Sequence, residues 1–293
     1  MSSKTFSPLE ALFYAFGMYL AASLADAVAK HLQVRLHFSE VNFIVSASGL
    51  AFMVGLSAAQ RGWRKALASA YWPWHAARAL VLGVMMLLVF YALKELTLPQ
   101  FYVYVYTSPF FTCLFSALFL KEKIAPMEIG AIALSFFGVL VCSQADSGSL
   151  ALSSGAVAAI ASAFLYGVAA LIARKIGADE YPPLFSISMY LGMMAVSVPY
   201  MGEHFLMPTM NEWGWSVVLS GFCLLSLLGL GVVFARSPSV AAVASMKYTQ
   251  IVWGIVLGFF FFDTIPQLQT LLGGGMIIAA GLLVLYREAK KKG

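Results

Sequence analysis

The feature that most constrains this chain is a succession of ten apolar segments, separated by short polar connections. The segments lie at 9–30, 40–59, 76–95, 99–120, 127–145, 153–174, 183–201, 213–235, 239–262 and 267–286. A helix of about 20 apolar residues crosses the hydrocarbon core of a bilayer. Because lipid offers the backbone no hydrogen-bond partner, continuous runs of this length form helices. The sequence therefore predicts an all-α polytopic membrane protein with ten transmembrane helices.

The composition excludes a water-soluble fold, since 61% of the residues are hydrophobic and only 11% are charged. Soluble domains carry about 25% charged residues. The cysteines and histidines form no cluster with the spacing of metal ligands; they are Cys113, Cys142, Cys223, His31, His37, His75 and His204. We therefore expect no metal and no cofactor.

The distribution of Lys and Arg predicts the orientation, because basic residues concentrate at the cytoplasmic ends of membrane helices. With a cytoplasmic N-terminus, thirteen basic residues lie on the cytoplasmic side. Only Lys30, Arg35 and Lys94 lie on the other side. We expect both termini in the cytoplasm and the protein in the bacterial inner membrane. This asymmetry also accounts for the net charge of +5, so no nucleic-acid partner is expected.

An internal repeat divides the chain into two halves, 1–146 and 147–293. The stretch that begins Tyr106-Thr107 recurs 142 residues later, at Tyr248-Thr249. Each half then holds five helices, and because five is odd the second half crosses the membrane in the opposite direction. Inverted repeats are typical of transporters, because two oppositely oriented halves can expose a central site to either side. The sequence predicts two five-helix repeats of inverted topology.

The ends of the two halves resemble the drug/metabolite transporter superfamily, in particular its ten-helix EamA-type members. The residues that carry the resemblance are Pro109, Glu122, Gly130 and Gly138 in the first half, and Tyr248, Trp253, Gly258, Pro266, Gly273 and Gly281 in the second. The resemblance implies a central cavity walled by helices one to four and six to nine. It also implies solutes such as amino acids, metabolites or drugs, frequently moved outward. The chain departs from the family pattern at Lys247 and at Asp263-Thr264.

Lys247 is a candidate binding residue because it lies near the middle of the ninth predicted helix. A charged side chain at that depth costs about 2.5–3.5 kcal/mol on insertion scales. In one interpretation its ammonium faces a water-filled cavity and meets an anionic group of the substrate. In the alternatives it pairs with a buried carboxylate or reaches to the membrane surface.

Two further charged residues lie within predicted helices. Asp26 precedes Lys30 by four residues and could form a local ion pair with it, or it could bind a proton or pair with Lys247. Arg78 could anchor the third helix at the cytoplasmic interface or close the cavity from below. The sequence leaves these alternatives open.

Aromatic residues and one proline complete the candidate site. Tyr102 and Tyr106 share one face of the fourth predicted helix, and Tyr248 and Trp253 lie on its repeat counterpart. They could form a cavity wall for a planar or cationic solute, or ordinary packing. Pro109 interrupts the fourth helix and frees backbone groups, which predicts a hinge or binding site.

The features together predict a secondary transporter that moves a small organic solute by alternating access, with export favoured and coupling to protons or a counter-solute possible. The chain contains no phosphate-binding loop for ATP. The alternatives are an uptake permease of the same fold and an integral membrane enzyme, for which no catalytic constellation is evident. The sequence leaves the oligomeric state open.

Overall fold

The computed structural model describes residues 6–60, 68–120, 126–147, 152–177, 180–202, 205–237, 243 and 245–291. These residues form eleven α-helices and one 3₁₀ turn, and none of them forms a β-strand. The helices are α1 Pro8–Leu32, α2 Phe38–Ala59, α3 Trp72–Glu95, α4 Leu98–Val105, α5 Ser108–Leu120, α6 Pro126–Ser147, α7 Ser154–Ile176, α8 Pro182–Met201, α9 Met210–Arg236, α10 Thr249–Phe262 and α11 Leu268–Lys291, with the 3₁₀ turn at Met246–Tyr248 before α10.

Seven helical segments of the described residues are long and apolar enough to cross a membrane. They are α1, α2, α3, the run Leu98–Phe119, α7, α8 and α9. Three shorter apolar stretches, Ile129–Ser143, Met246–Phe262 and Leu268–Leu283, coincide with the fifth, ninth and tenth predicted segments. The prediction of an all-α polytopic membrane protein is confirmed. Residues 238–242 and 244, at the start of the ninth predicted segment, lie outside the described residues.

Local sequence signals explain where the helices start. Ser7 and Glu10 form a capping box at the start of α1, and Thr209 and Glu212 form another at the start of α9. In a capping box two side chains bind backbone amides that lack partners within the helix. The starting points of α1 and α9 are thereby set by these polar residues.

The fourth and ninth predicted segments are both interrupted. The fourth divides at Tyr106 and Thr107 into α4 and α5, and Pro109 lies in the first turn of α5. Proline fits the first turn of a helix but not its interior. In the ninth segment the 3₁₀ turn Met246–Tyr248 precedes α10. Tyr106 and Tyr248 therefore mark equivalent interruptions in the two halves, and the role of Pro109 as a hinge stays a prediction.

The main helix contacts join the first half of the chain to the second. Helix α1 packs on α9, α2 on α8, α3 on both α7 and α8, and α6 on α11. The principal core cluster contains buried residues from both halves, among them Tyr102, Tyr106 and Tyr248. Large apolar side chains such as Phe260 and Ile265 are exposed, as expected for surfaces that face lipid.

Candidate functional site

Two stacked tyrosines at the end of α4 form the centre of the candidate site. The rings of Tyr102 and Tyr106 lie 5.8 Å apart with an interplanar angle of 19°, and each residue is only 2% exposed. Helix α10 approaches them closely at Gly254, where an added Cβ would lie 2.7 Å from the Tyr102 ring. The absence of a side chain at Gly254 therefore lets α10 pack against the tyrosine pair.

Asp26 of α1 is bound to this pair through Tyr102, whose hydroxyl donates a 2.8 Å hydrogen bond to Oδ2 of Asp26. The alternative of an Asp26–Lys30 ion pair is wrong. Lys30 Nζ instead donates to the backbone carbonyls of Leu93 and Leu96, at 2.7 Å each, and cations are favourable at the C-terminus of a helix such as α3. Among the ion pairs of the described residues, none joins Asp26 to Lys247.

Lys247 lies on the 3₁₀ turn, with its ammonium between two phenol rings. The Nζ atom lies 5.0 Å from the centre of the Tyr106 ring and 5.6 Å from that of Tyr166 on α7. The described residues provide no carboxylate within ion-pair distance of it. A cation–π contact contributes about 0.5–2 kcal/mol, so two of them offset a large part of the cost of burying the ammonium. The contacts still leave the ammonium without a counter-charge.

A hydrogen-bond network links the two helix interruptions to α1. The Tyr106 hydroxyl donates to Oε1 of Gln250 at 2.8 Å and lies 3.1 Å from the backbone oxygen of Lys247. Nε2 of Gln250 lies 3.4 Å from the hydroxyl oxygen of Ser23. The network fixes the position of the 3₁₀ turn, and therefore of Lys247, relative to α1 and α4.

Tyr166 and Gln250 were not among the residues predicted for the site. Tyr166 lies on α7, the first helix of the second half. Its ring contacts Lys247, although the residue is 48% exposed. Gln250 follows the repeated Tyr-Thr pair directly. Its polar amide within an apolar run is the sequence feature that could have identified it as a site residue. For Tyr166 the sequence offered only an isolated tyrosine in the middle of α7.

The remaining predicted residues lie around this cluster or away from it. The ring of Tyr248 contacts Tyr106 edge-on at 5.7 Å, while its hydroxyl packs against Gly281 of α11. Trp253 packs against Phe16 at 5.1 Å. The structure thus brings Asp26, Tyr102, Tyr106, Lys247 and Tyr248 together, with Trp253 in the following turns of α10.

Arg78 lies apart from the cluster, near the start of α3. Its Nη1 donates a 3.0 Å hydrogen bond to the backbone oxygen of Phe185, and its guanidinium carbon lies 5.1 Å from the Phe185 ring. Arg78 therefore connects α3 to α8 toward the end of the bundle at which α3 begins.

The cluster has the chemistry of a binding site. It presents one carboxylate, one ammonium, phenol hydroxyls and an amide inside an apolar bundle. Within the described residues, no group of three His, Cys, Asp or Glu side chains could hold a metal ion. Charged and aromatic groups of this kind interact with polar solutes by charge and by aromatic contact.

Comparisons with known proteins agree with this picture. Residues 9–144 match the EamA-like transporter family. The pseudopaline exporter of Pseudomonas aeruginosa is 29% identical over 271 residues, which cover 92% of this chain and 93% of that protein. The riboflavin transporter of Rhizobium johnstonii is 26% identical, with 99% and 97% covered. The S-adenosylmethionine uptake transporter of Rickettsia bellii is 26% identical, with 92% and 91% covered.

A solved crystal structure with 17% identical residues has a TM-score of 0.65 and covers 98% of this chain and 100% of its own; this likeness shows the fold alone. The fold is that of a multi-pass membrane protein, and the names of the relatives point to membrane transporters and not to enzymes. The first half of the chain, residues 9–144, is thus similar to the EamA-like transporter family.

Proposed function

We propose that this protein is a secondary transporter that exports a small organic solute across the bacterial inner membrane by alternating access. The observation that carries the proposal is the ammonium of Lys247, held between Tyr106 and Tyr166 without an ion-pair partner among the described residues. An uncompensated cation inside a membrane protein is costly. An anionic group of the solute, such as a carboxylate, would supply the counter-charge.

The two phenol rings suit the rest of such a solute. Tyr166 is partly exposed and presents a flat, amphipathic surface beside the ammonium. Aromatic side chains contribute contact area together with a polar edge. Asp26, bound by Tyr102, would act as the group that takes up or releases a proton, or would meet a cationic part of the solute.

Alternating access is supported by the repeat, because both interruptions of the helices meet at the cluster. In this proposal the halves 1–146 and 147–293 rock against each other around the Tyr106–Gln250 contact. The excess of basic residues on one side supports cytoplasmic termini. Under this orientation α3 and α8 begin at the cytoplasmic face.

The relatives bear on direction in two ways. The pseudopaline exporter supports export, whereas the S-adenosylmethionine uptake transporter supports the second candidate, an uptake permease. A rocking bundle works in both directions, so the gradient that drives it determines the net movement.

Transport by the purified protein in liposomes tests the proposal. Labelled amino acids, nucleobases and cationic drugs would be screened for saturable uptake. We expect a carboxylate-bearing solute to be transported by the wild type and by Lys94→Ala, in which an exposed lysine is removed. Lys247→Ala should abolish that transport. Wild-type uptake by Lys247→Ala would contradict the assigned role.

A further inference from the structure

We propose that two carboxylates at opposite ends of the bundle, Glu180 and Glu40, hold the two gates of this transporter closed. The inference rests on the proposed alternating access and adds the residues that would control it. We call the contact of Glu180 with Ser69 and His75 the Glu180 latch, and the contact of Glu40 with Leu206 the Glu40 latch. Each latch joins one half of the chain to the other.

The carboxylate of the Glu180 latch belongs to the connection between α7 and α8. Oε1 of Glu180 accepts a 2.9 Å hydrogen bond from the backbone amide of Tyr181. Oε2 accepts a hydrogen bond from the Ser69 hydroxyl and lies 3.6 Å from Nε2 of the buried His75 at the start of α3. One carboxylate oxygen thus binds its own segment, and the other binds the first half of the chain.

Glu180 carries a charge in this contact. Burial alone would raise the pKa of its carboxyl, but hydrogen bonds from Ser69 and Tyr181 and the nearby His75 ring lower the pKa below its ordinary value. A carboxyl whose pKa is lowered stays ionised at neutral pH and loses its charge only in acid. The hydrogen bond from Ser69 is therefore charge-assisted, which makes it stronger than a neutral one.

The Glu40 latch lies in the first turn of α2, at the opposite end of the bundle. Oε2 of Glu40 accepts a 2.8 Å hydrogen bond from the backbone amide of His37, which caps its own helix. Oε1 accepts a 2.7 Å hydrogen bond from the backbone amide of Leu206 in the second half. Beside it, Arg35 forms an ion pair with Glu212, with 2.7 Å between Nε and Oε1.

The two latches occupy similar places in the two halves, although Glu180 binds a side chain and Glu40 a backbone amide. Glu40 and Glu180 lie 140 positions apart, close to the repeat offset of 142. Each stands at the start of the second helix of its half, α2 or α8. Each binds the segment that leads into the third helix of the other half, which is Ser69 before α3 and Leu206 before α9. Because the halves cross the membrane in opposite directions, the repeat puts one latch on each face.

The Glu180 latch borders a cavity. Glu180 and Ser69 line this cavity of about 690 Å³, together with Tyr71, Lys175 and Tyr181. Nearby, Arg78 of α3 binds the backbone oxygen of Phe185 on α8. In this proposal, the latch and the Arg78 contact hold α3 and α8 together between the cavity and the cluster around Lys247.

Close packing of α3 on α8 continues this closure. A Cβ added at Gly192 would overlap the carbonyl of Ala79, and one added at Gly83 would overlap the carbonyl of Gly192. The two backbones touch with no side chain between them. Opening this face requires α3 and α8 to separate, and that separation breaks the Glu180 latch.

The labelling rate of a single reporter cysteine, measured from each face of the membrane, tests the inference without any substrate. The native cysteines Cys113, Cys142 and Cys223 are replaced by alanine, and Tyr166→Cys supplies a reporter beside Lys247. A membrane-impermeant maleimide is applied to right-side-out and inside-out vesicles. Glu180→Gln should raise the labelling rate from the cytoplasmic face and lower it from the other, and Glu40→Gln should do the reverse. The shift for Glu180→Gln should be about fivefold, as expected when a charge-assisted hydrogen bond becomes neutral.

Two further variants keep the test decisive. Ser69→Ala, which removes the partner instead of the carboxylate, should act like Glu180→Gln even if the latter reaches the membrane at low levels. Asp263→Asn is the control, because this exposed aspartate lies at φ 49°, a left-handed conformation that asparagine tolerates; its labelling should match the parent. Unchanged labelling, or equal changes at both faces, would contradict the proposal that Glu180 and Glu40 hold the gates closed. Reciprocal labelling, combined with no transport by the wild-type protein in liposomes, would instead contradict the proposed function and support the gates.

Discussion

Tyr102 donates a 2.8 Å hydrogen bond to Asp26, and this contact joins α1 to the short helix α4. The same ring stacks on Tyr106, whose hydroxyl binds Gln250 beside Lys247. Asp26 and Lys247 therefore occupy two ends of one tyrosine pair and make no ion pair with each other. Their contributions to stability and transport should be separable.

The first prediction concerns that separation. Asp26 and Lys247 make no ion pair with each other, so combining Asp26→Ala with Lys247→Ala should recover none of the stability lost in the single variants. An ion pair would behave differently, because removing one partner strands the other charge. Thermal melting of the two single variants and the double variant measures this. Recovery of stability in the double variant would show a direct pair.

Tyr166 should contribute through its ring and not through its hydroxyl. Tyr166→Phe keeps the aromatic face 5.6 Å from the Lys247 ammonium and should transport at nearly the wild-type rate. Tyr166→Leu removes that face and should weaken transport between about twofold and thirtyfold, corresponding to about 0.5–2 kcal/mol. Initial rates at low solute concentration distinguish them. Equal rates for the two variants would show that the ring only packs.

Lys30 should stabilise the bundle through the end of α3. Lys30→Met keeps most of the side-chain stem but leaves the carbonyls of Leu93 and Leu96 without their donor. The loss should be about 1–3 kcal/mol, the usual cost of an unsatisfied buried polar group. Melting in detergent measures it. Lys94→Met, at an exposed lysine on α3, should melt like the wild type, and the same result for Lys30→Met would contradict the capping role.

The orientation can be checked independently of transport. A reporter that is active only in the periplasm should give no signal when fused at Gly293, since most basic residues lie on the same side as the termini. The same reporter fused after Val34, in the connection between α1 and α2, should be active and serves as the control. Activity at Gly293 would reverse the assignment of faces.

The sequence sufficed for the helices because membrane helices are specified by their own composition. The position of the α4–α5 interruption followed from Pro109, a local signal. The Asp26–Lys30 hypothesis failed because spacing along one helix describes only neighbours within that helix. The carbonyls that bind Lys30 belong to α3 and become partners only when α1 and α3 pack.

The incomplete prediction of the site has the same cause. Tyr166 contacts Lys247 because α7 packs against the interrupted segments, and no pattern within residues 153–174 indicates that contact. Glu40 lies in the first turn of α2 and Glu180 in the connection before α8, and charged residues are common at such helix starts and carry no signal of their own. Their equivalence becomes visible only when the hydrogen-bond partners in the opposite half are known.

The paired interruptions of the fourth and ninth segments are not chemically equivalent. At the repeat offset of 142, the counterpart of Lys247 is Val105, so only the second of the two interruptions carries an ammonium. A solute whose acid group binds Lys247 would then lie with a fixed head and tail along the membrane normal. It would leave toward one face with its acidic end leading and toward the other with that end trailing. Loading from the two sides would therefore be kinetically distinct, even in a bundle whose architecture is nearly symmetric.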